Sequence, residues 1–221
     1  MTNEPMPVAI PDAVAEGARL QGRGLVVGYD DREVLHELDV QIPDGAFTVI
    51  IEPNACGKST LLKTLARLLP PSAGQVVLDG HSIHQQRSKD VARVLGLLPQ
   101  SPFAPDGITV AELVARGRSP HQNLISRWSH EDQAAVNAAL AATGVGDLRD
   151  DGRTVVAVLH DINHAIRYAD HLIAMRDGYI VAEGAPEQIV TAPMIEEVFG
   201  LRARVVPDPE LGVPIVLPAL P

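Results

Sequence analysis

Apolar and polar positions alternate in short runs over the first quarter of the chain. GLVVGY, EVLHELDVQI and AFTVII read as strands, separated by the turn signals Tyr29-Asp30-Asp31 and Pro43-Asp44-Gly45. This predicts an antiparallel β subdomain that feeds a buried strand over Phe47–Ile51. After a short loop the period changes, and a helix is expected from Lys58 to Leu69, stopped by Pro70-Pro71. QVVLDG predicts a strand with an Asp-Gly turn. Ser88–Leu95 reads as a short helix, Gly96–Leu98 as a short buried strand, and Ile108–Gly117 and Ser129–Thr143 as helices. Ser129-x-x-Asp132 resembles a capping box.

The run Thr154–Leu159, TVVAVL, has the continuous apolar character of a parallel strand buried on both faces. A helix follows to Tyr168. HLIAM and YIVAEG flank Arg176-Asp177-Gly178, a hairpin signal. Pro186 and Pro193 stand where helices begin, and Gly200 ends the last one. Strands alternating with helices predict an α/β fold. Residues 1–18 show no period and read as a loose arm; residues 19–221 read as one domain.

Composition narrows the field. The 221 residues carry a net charge of -10, with no block of Lys and Arg, which argues against nucleic acid as a partner. Only 3% of residues are aromatic, leaving little material for base-stacking platforms. The single cysteine, Cys56, precludes an internal disulfide and suits a reducing compartment. No basic leader precedes an apolar run, and no apolar stretch approaches the ~18 residues that span a bilayer. A cytoplasmic protein is expected, with any membrane role reached through a partner.

Chemistry concentrates in Glu52-Pro53-Asn54-Ala55-Cys56-Gly57-Lys58-Ser59-Thr60. The segment lies between a strand and a helix, the setting a phosphate-binding loop requires. There, successive backbone N–H groups and the helix N-terminus offer donors and partial positive charge to phosphate oxygens. Lys58 would reach the terminal phosphates and the Ser59 hydroxyl would help hold Mg²⁺. The pattern G-x-x-x-x-G-K-[ST] is met at Gly57, Lys58 and Ser59 but not at its first position, where Glu52 stands. An inward Glu52 would oppose a triphosphate. At ~6 Å and an effective dielectric of ~20, each charge pair costs about 3 kcal/mol.

With these residues in view, the sequence resembles the ATP-binding subunits of ABC transporters from Arg19 onward. Tyr29 matches the aromatic that stacks on adenine in that family. Gln100, in LGLLPQSP, matches the glutamine that links the Mg²⁺ site to the helical subdomain. His160, in TVVAVLHDIN, matches the switch histidine at the γ-phosphate. ITVAELVARGRSPHQ and HDINHAIRYADHLIAMRDGYIVAEG are similar to the iron(III)-siderophore, haem and cobalamin importers, the siderophore branch most of all. The resemblance implies a P-loop NTPase-like core sheet with an N-terminal antiparallel β subdomain and a truncated helical subdomain. It implies ATP and Mg²⁺ as cofactors, and as partners membrane permease subunits and a second nucleotide-binding subunit in a homodimer. Asn54, Ala55, Cys56, Gly57, Lys58, Ser59 and Thr60 would bind the nucleotide together with Tyr29 and Gln100. Ser59 and Gln100 would hold the metal, and His160 would serve catalysis.

One departure changes the expected activity. Between Leu148 and Thr154 the family has far more chain, and LRDDGR crosses that junction directly. Two helices, two strands and their loops, about fifty residues, would be missing. By the resemblance, these would carry the L-S-G-G-Q signature, the Mg²⁺-binding Asp and the catalytic Glu. Asp150 and Asp151 follow no buried strand and read as a solvated loop. Three outcomes stay open: an importer subunit with impaired hydrolysis, a non-hydrolytic nucleotide-binding or assembly module on a permease, and a damaged product. Arg116, Arg118 and Arg127 around Trp128 read equally as a permease contact or a solvated rim. His160 and His164, four apart, could face a metal together, but no acidic or Cys partner converges on them.

Overall fold

A computed structural model of the chain describes residues 18–30, 32–53, 57–98, 114–121, 129–141, 153–210 and 212–219. The first sheet is the antiparallel one predicted. Strands β1 (Leu20–Tyr29), β2 (Arg32–Ile42), β4 (Ala73–Leu78) and β5 (His81–Ser82) lie in the order β2-β1-β4-β5. The β1–β2 connection is tight: a Cβ on Gly28 would lie 2.4 Å from the Arg32 carbonyl oxygen.

The second sheet carries the parallel strands. β3 (Phe47–Ile51) sits between β6 (Val155–Val158) and β7 (His171–Arg176), both parallel to it, and β8 (Tyr179–Gly184) closes one side antiparallel to β7. Thus the strand before the phosphate loop and the TVVAVL strand are direct neighbours, with Val49 opposite Ala157. Alternate residues of β3 and β7 enter two cores. Ile50, Ile173 and Met175 pack against the first sheet, with Leu25, Leu35, Leu61 and Leu65. Val49, Ile51, Leu172 and Ala174 pack on the other face. Burial on both faces is why these strands read as continuous apolar runs rather than alternating ones.

Helix α1 (Lys58–Leu65) stops earlier than its apolar pattern suggests. Arg67 adopts φ 63°, its N–H reaches Thr64 O, and Leu68 N–H reaches Lys63 O. This pair of reversed bonds closes the helix and leaves Leu68 exposed. Helix α2 (Ser88–Val94) is as expected. Gly96–Leu98 is not a strand: it pairs with no described strand, and Leu98 is 85% exposed. Most of the helix expected over residues 108–117 lies outside the described residues, and Arg116–His121 is a 3₁₀ turn. In α3 (His130–Ala141) the capping box forms: Asp132 N–H donates to Ser129 Oγ, and Ser129 N–H donates to Asp132 Oδ2, both at 3.1 Å.

β6 corrects a second expectation. All four of its residues are only half-buried, and among the described strands it pairs with β3 alone. Its apolar composition is that of an interior strand, but among the described strands its position is an edge.

Beyond it, Asp161 caps α4 (Ile162–Tyr168) by accepting from His164 N–H at 2.8 Å. The β7–β8 turn uses Asp177 and Gly178 at φ 50° and 82°. α5 (Pro186–Ile189) and α6 (Ala192–Phe199) begin at the expected prolines, and Gly200 closes α6 at φ 64°. A final hairpin, β9 (Ala203–Pro207) and β10 (Pro214–Pro218), lies where no element was expected. The Asn163 side chain docks it: its amide donates to Val216 O and its carbonyl accepts from Val216 N–H. No described helix is long and apolar enough to cross a membrane.

Candidate functional site

The carboxyl ends of β3 and β6 point the same way, and side-by-side parallel strands open ligand clefts at that end. β3 delivers Glu52 and then the loop to α1. Gly57 stands at φ 134°, where a Cβ would come within 2.9 Å of Leu35 Cδ2. The backbone conformation there favours glycine, and a side chain would also press on Leu35. β6 delivers His160, which is exposed. β1 ends at Tyr29, 45% exposed.

These residues meet. A cleft of about 880 Å³ is lined by Tyr29, Gly57, Lys58, Ser59, Thr60 and His160, together with Glu52. Asn54, Ala55, Cys56 and Gln100 lie outside the described residues. Sequence reasoning missed a second wall, formed by Arg32, Val34 and His36 of β2 and Asp177 of the β7–β8 turn. The turn presses on β2 so closely that a Cβ on Gly178 would lie 2.1 Å from Val34 O. The His36 ring stacks on Tyr179, 4.9 Å apart and 25° from parallel. The Asp-Gly turn signal was visible in the sequence, but nothing local says which strand it meets.

Glu52 points inward. Its side chain is 2% exposed and that of Lys58 6%. The Lys58 ammonium lies 3.1 Å from Glu52 Oε1 and donates to the Glu52 carbonyl at 3.1 Å. The same Oε1 accepts from the Lys58 backbone N–H, again at 3.1 Å. The helix N-terminus and the loop lysine are thus both engaged by one carboxylate. Around the cleft, Arg32 and Lys58 face Glu33, Glu52 and Asp177, an excess of negative charge among the described lining residues.

Burial lowers the pKa of His171 and raises that of Glu183, on the strands β7 and β8. In the helical part, the hydrogen bond from Arg118, with those from Ser129, holds Asp132 down to about 2. Arg118 donates from Nε to Asp132 Oδ1 at 2.8 Å, and only 23% of its side chain is exposed. Of the three arginines noted in the sequence, this one is therefore a structural strut; Arg127 and Trp128 lie outside the described residues.

The base end of the cleft suits a nucleotide, with an exposed aromatic ring at its mouth. The phosphate end does not fit one as it stands, because the Lys58 donors are engaged by Glu52. Strand, loop, helix and parallel neighbours nevertheless define an α/β nucleotide-binding domain of the phosphate-loop class. A profile of the ABC transporter family matches residues 35–157. The ferric enterobactin transport ATP-binding protein FepC of Escherichia coli (strain K12) is 44% identical, over 91% of this chain and 94% of that protein. The achromobactin transport ATP-binding protein CbrD of Dickeya dadantii (strain 3937) is 37% identical, over 90% and 94%. The chain belongs to the ABC transporter family. The fold is similar to that of a metal-chelate type ABC transporter solved in an inward-facing conformation, with a TM-score of 0.69 at 18% identity over 91% of this chain and 98% of that one.

Proposed function

We propose that this chain is the ATP-binding subunit of an importer for iron-siderophore complexes, and that it has lost the capacity to hydrolyse ATP. It docks on membrane permease subunits at the inner face of the cell membrane and pairs with a second nucleotide-binding subunit. The names of FepC and CbrD, which refer to enterobactin and achromobactin, support the cargo class. ATP binding follows the family, and Ser59 and Gln100 are the residues proposed for Mg²⁺.

The observation that carries the loss of hydrolysis is the short LRDDGR junction, which leads directly from Leu148 to Thr154. It agrees with β6 standing at the edge of its sheet among the described strands. By the family resemblance, the missing block would hold the Mg²⁺-binding Asp and the catalytic Glu. Phosphoryl transfer depends on positioned charge and water, so a lysine, a serine and a histidine alone do not replace them. The engagement of Lys58 by Glu52 favours a second reading, in which the chain serves as a non-hydrolytic assembly module on the permease.

Phosphate release from Mg-ATP by the purified chain tests the loss. The expected rate equals that of Lys58→Ala; turnover clearly above that control overturns it. Co-purification with the permease subunits of a siderophore importer tests docking, and its failure removes both readings.

A further inference from the structure

We propose that Glu52 is an internal stand-in for phosphate, a latch on the Lys58 donors that keeps phosphate-bearing ligands from them until the carboxylate is displaced. The proposal rests on reading residues 52–60 as a phosphate loop, and concerns how that loop is regulated.

The geometry is that of a bound anion. A phosphate at a helix N-terminus takes hydrogen bonds from the first backbone N–H groups and from a nearby cation. Glu52 Oε1 accepts from the Lys58 N–H, the first residue of α1, and lies 3.1 Å from the Lys58 ammonium. The ammonium is further tied to the Glu52 carbonyl. Both side chains are almost fully withdrawn from water, so the pair is not screened as a surface pair would be.

Competition then favours the latch twice. Glu52 is only six residues from Lys58, so its effective concentration at those donors is on the order of millimolar or above. A ligand must exceed that, and it must also accommodate the displaced carboxylate. Swung aside but still tethered at the end of β3, the carboxylate remains close to the incoming phosphate and repels it. A glycine at this position would present neither obstacle.

A purely structural role predicts something different. If Glu52 only caps α1 and neutralises Lys58, its removal lowers stability and leaves ligand affinity alone. A latch couples the two in opposite directions. The ligand-free protein loses a contact, while the ligand-bound protein loses a competitor.

The test compares the wild-type chain with Glu52→Gly and with Glu52→Gln, which keeps the shape and an acceptor but not the charge. Thermal midpoints are measured without ligand, with Mg-ATP and with inorganic pyrophosphate, and dissociation constants by calorimetry. Both variants should melt lower than wild type without ligand and rise further on adding either ligand. The Mg-ATP dissociation constant should fall by at least about tenfold, the scale of one charge-assisted hydrogen bond. A response to pyrophosphate places the gain at the phosphate end rather than the base. Equal binding by all three proteins overturns the latch and leaves the phosphate-loop reading intact. No binding by any of them, with cooperative melting retained, overturns both. If Glu52→Gly does not fold, Glu52→Gln decides.

Discussion

The two strands that flank β3 have similar sequences and different fates. On one side β7 carries Leu172, Ile173, Ala174 and Met175, each fully buried, with β8 beyond it and α6 behind. On the other side β6 carries Val155, Val156, Ala157 and Val158, all only half-buried, with no described strand beyond. The helical part, α2, the 3₁₀ turn and α3, is held differently again. Its buried apolar side chains are few, Val91 and Val136 among those described, and polar contacts join its pieces: Arg93 to Pro120 O and Arg118 to Asp132. Apolar character brings a strand to β3, but what lies on the strand's far side decides how much that burial stabilises.

The largest expected effect lies on the packed side. Ile173→Ala should cost about 2–5 kcal/mol in urea unfolding, as large-to-small changes in closed cores do. Val158→Ala, on the half-buried strand, should cost about 1 kcal/mol. Equal costs would mean that β6 is covered as fully as β7, and the contrast would collapse.

Acid should separate the regions next. The Arg118 and Ser129 hydrogen bonds hold the Asp132 carboxyl at about 2, below its ordinary 3.8. A carboxylate whose folded pKa is depressed stabilises the fold above its unfolded value, and that contribution fades as pH falls from about 4 to about 2. Hydrogen-exchange protection in α3, relative to the intrinsic rate, should therefore fall over that window, and the difference between wild type and Asp132→Asn should narrow towards its lower end. Asp161 is also held low, chiefly by the His164 N–H. Its helix α4 rests on buried Ala165 and Ile166, so protection there should persist. A constant gap between wild type and Asp132→Asn at every pH would remove Asp132 from the account.

The smallest effect concerns the edge itself. Val155 N–H donates to Ala46 O, so alternation turns the Val156 N–H away from β3. An unpaired strand edge without Lys, Pro or a bulge invites association. The wild-type chain should scatter more light as its concentration rises, and Val156→Pro, which deletes an outward donor, should reduce that rise slightly. Unchanged scattering in a folded variant would show that β6 is not the sticking surface.

Much of this was legible in the residues. The strand-loop-helix setting of Gly57, Lys58 and Ser59, the hairpin at Asp177-Gly178, the Ser129–Asp132 box and the proline starts of α5 and α6 all depend on contacts within a few residues. The order of motifs also pointed to Tyr29 and His160, which line one cleft with Lys58. Other features waited for the folded chain. TVVAVL looks interior by composition, yet its burial depends on a neighbour absent among the described strands. Gly96–Leu98 has the residues of a strand and no described strand to pair with. The β9–β10 hairpin depends on Asn163, 53 residues before Val216. His36 found Tyr179 only because a distant turn folds onto β2. Glu52 could have pointed either way; its inward turn follows from a buried lysine and a helix N-terminus that it meets in three dimensions. The sequence by itself determined the conformations set by backbone dihedrals and short-range hydrogen bonds. Burial, edges and the state of the phosphate loop were left to the tertiary structure, because each is a relation between segments that no single segment encodes.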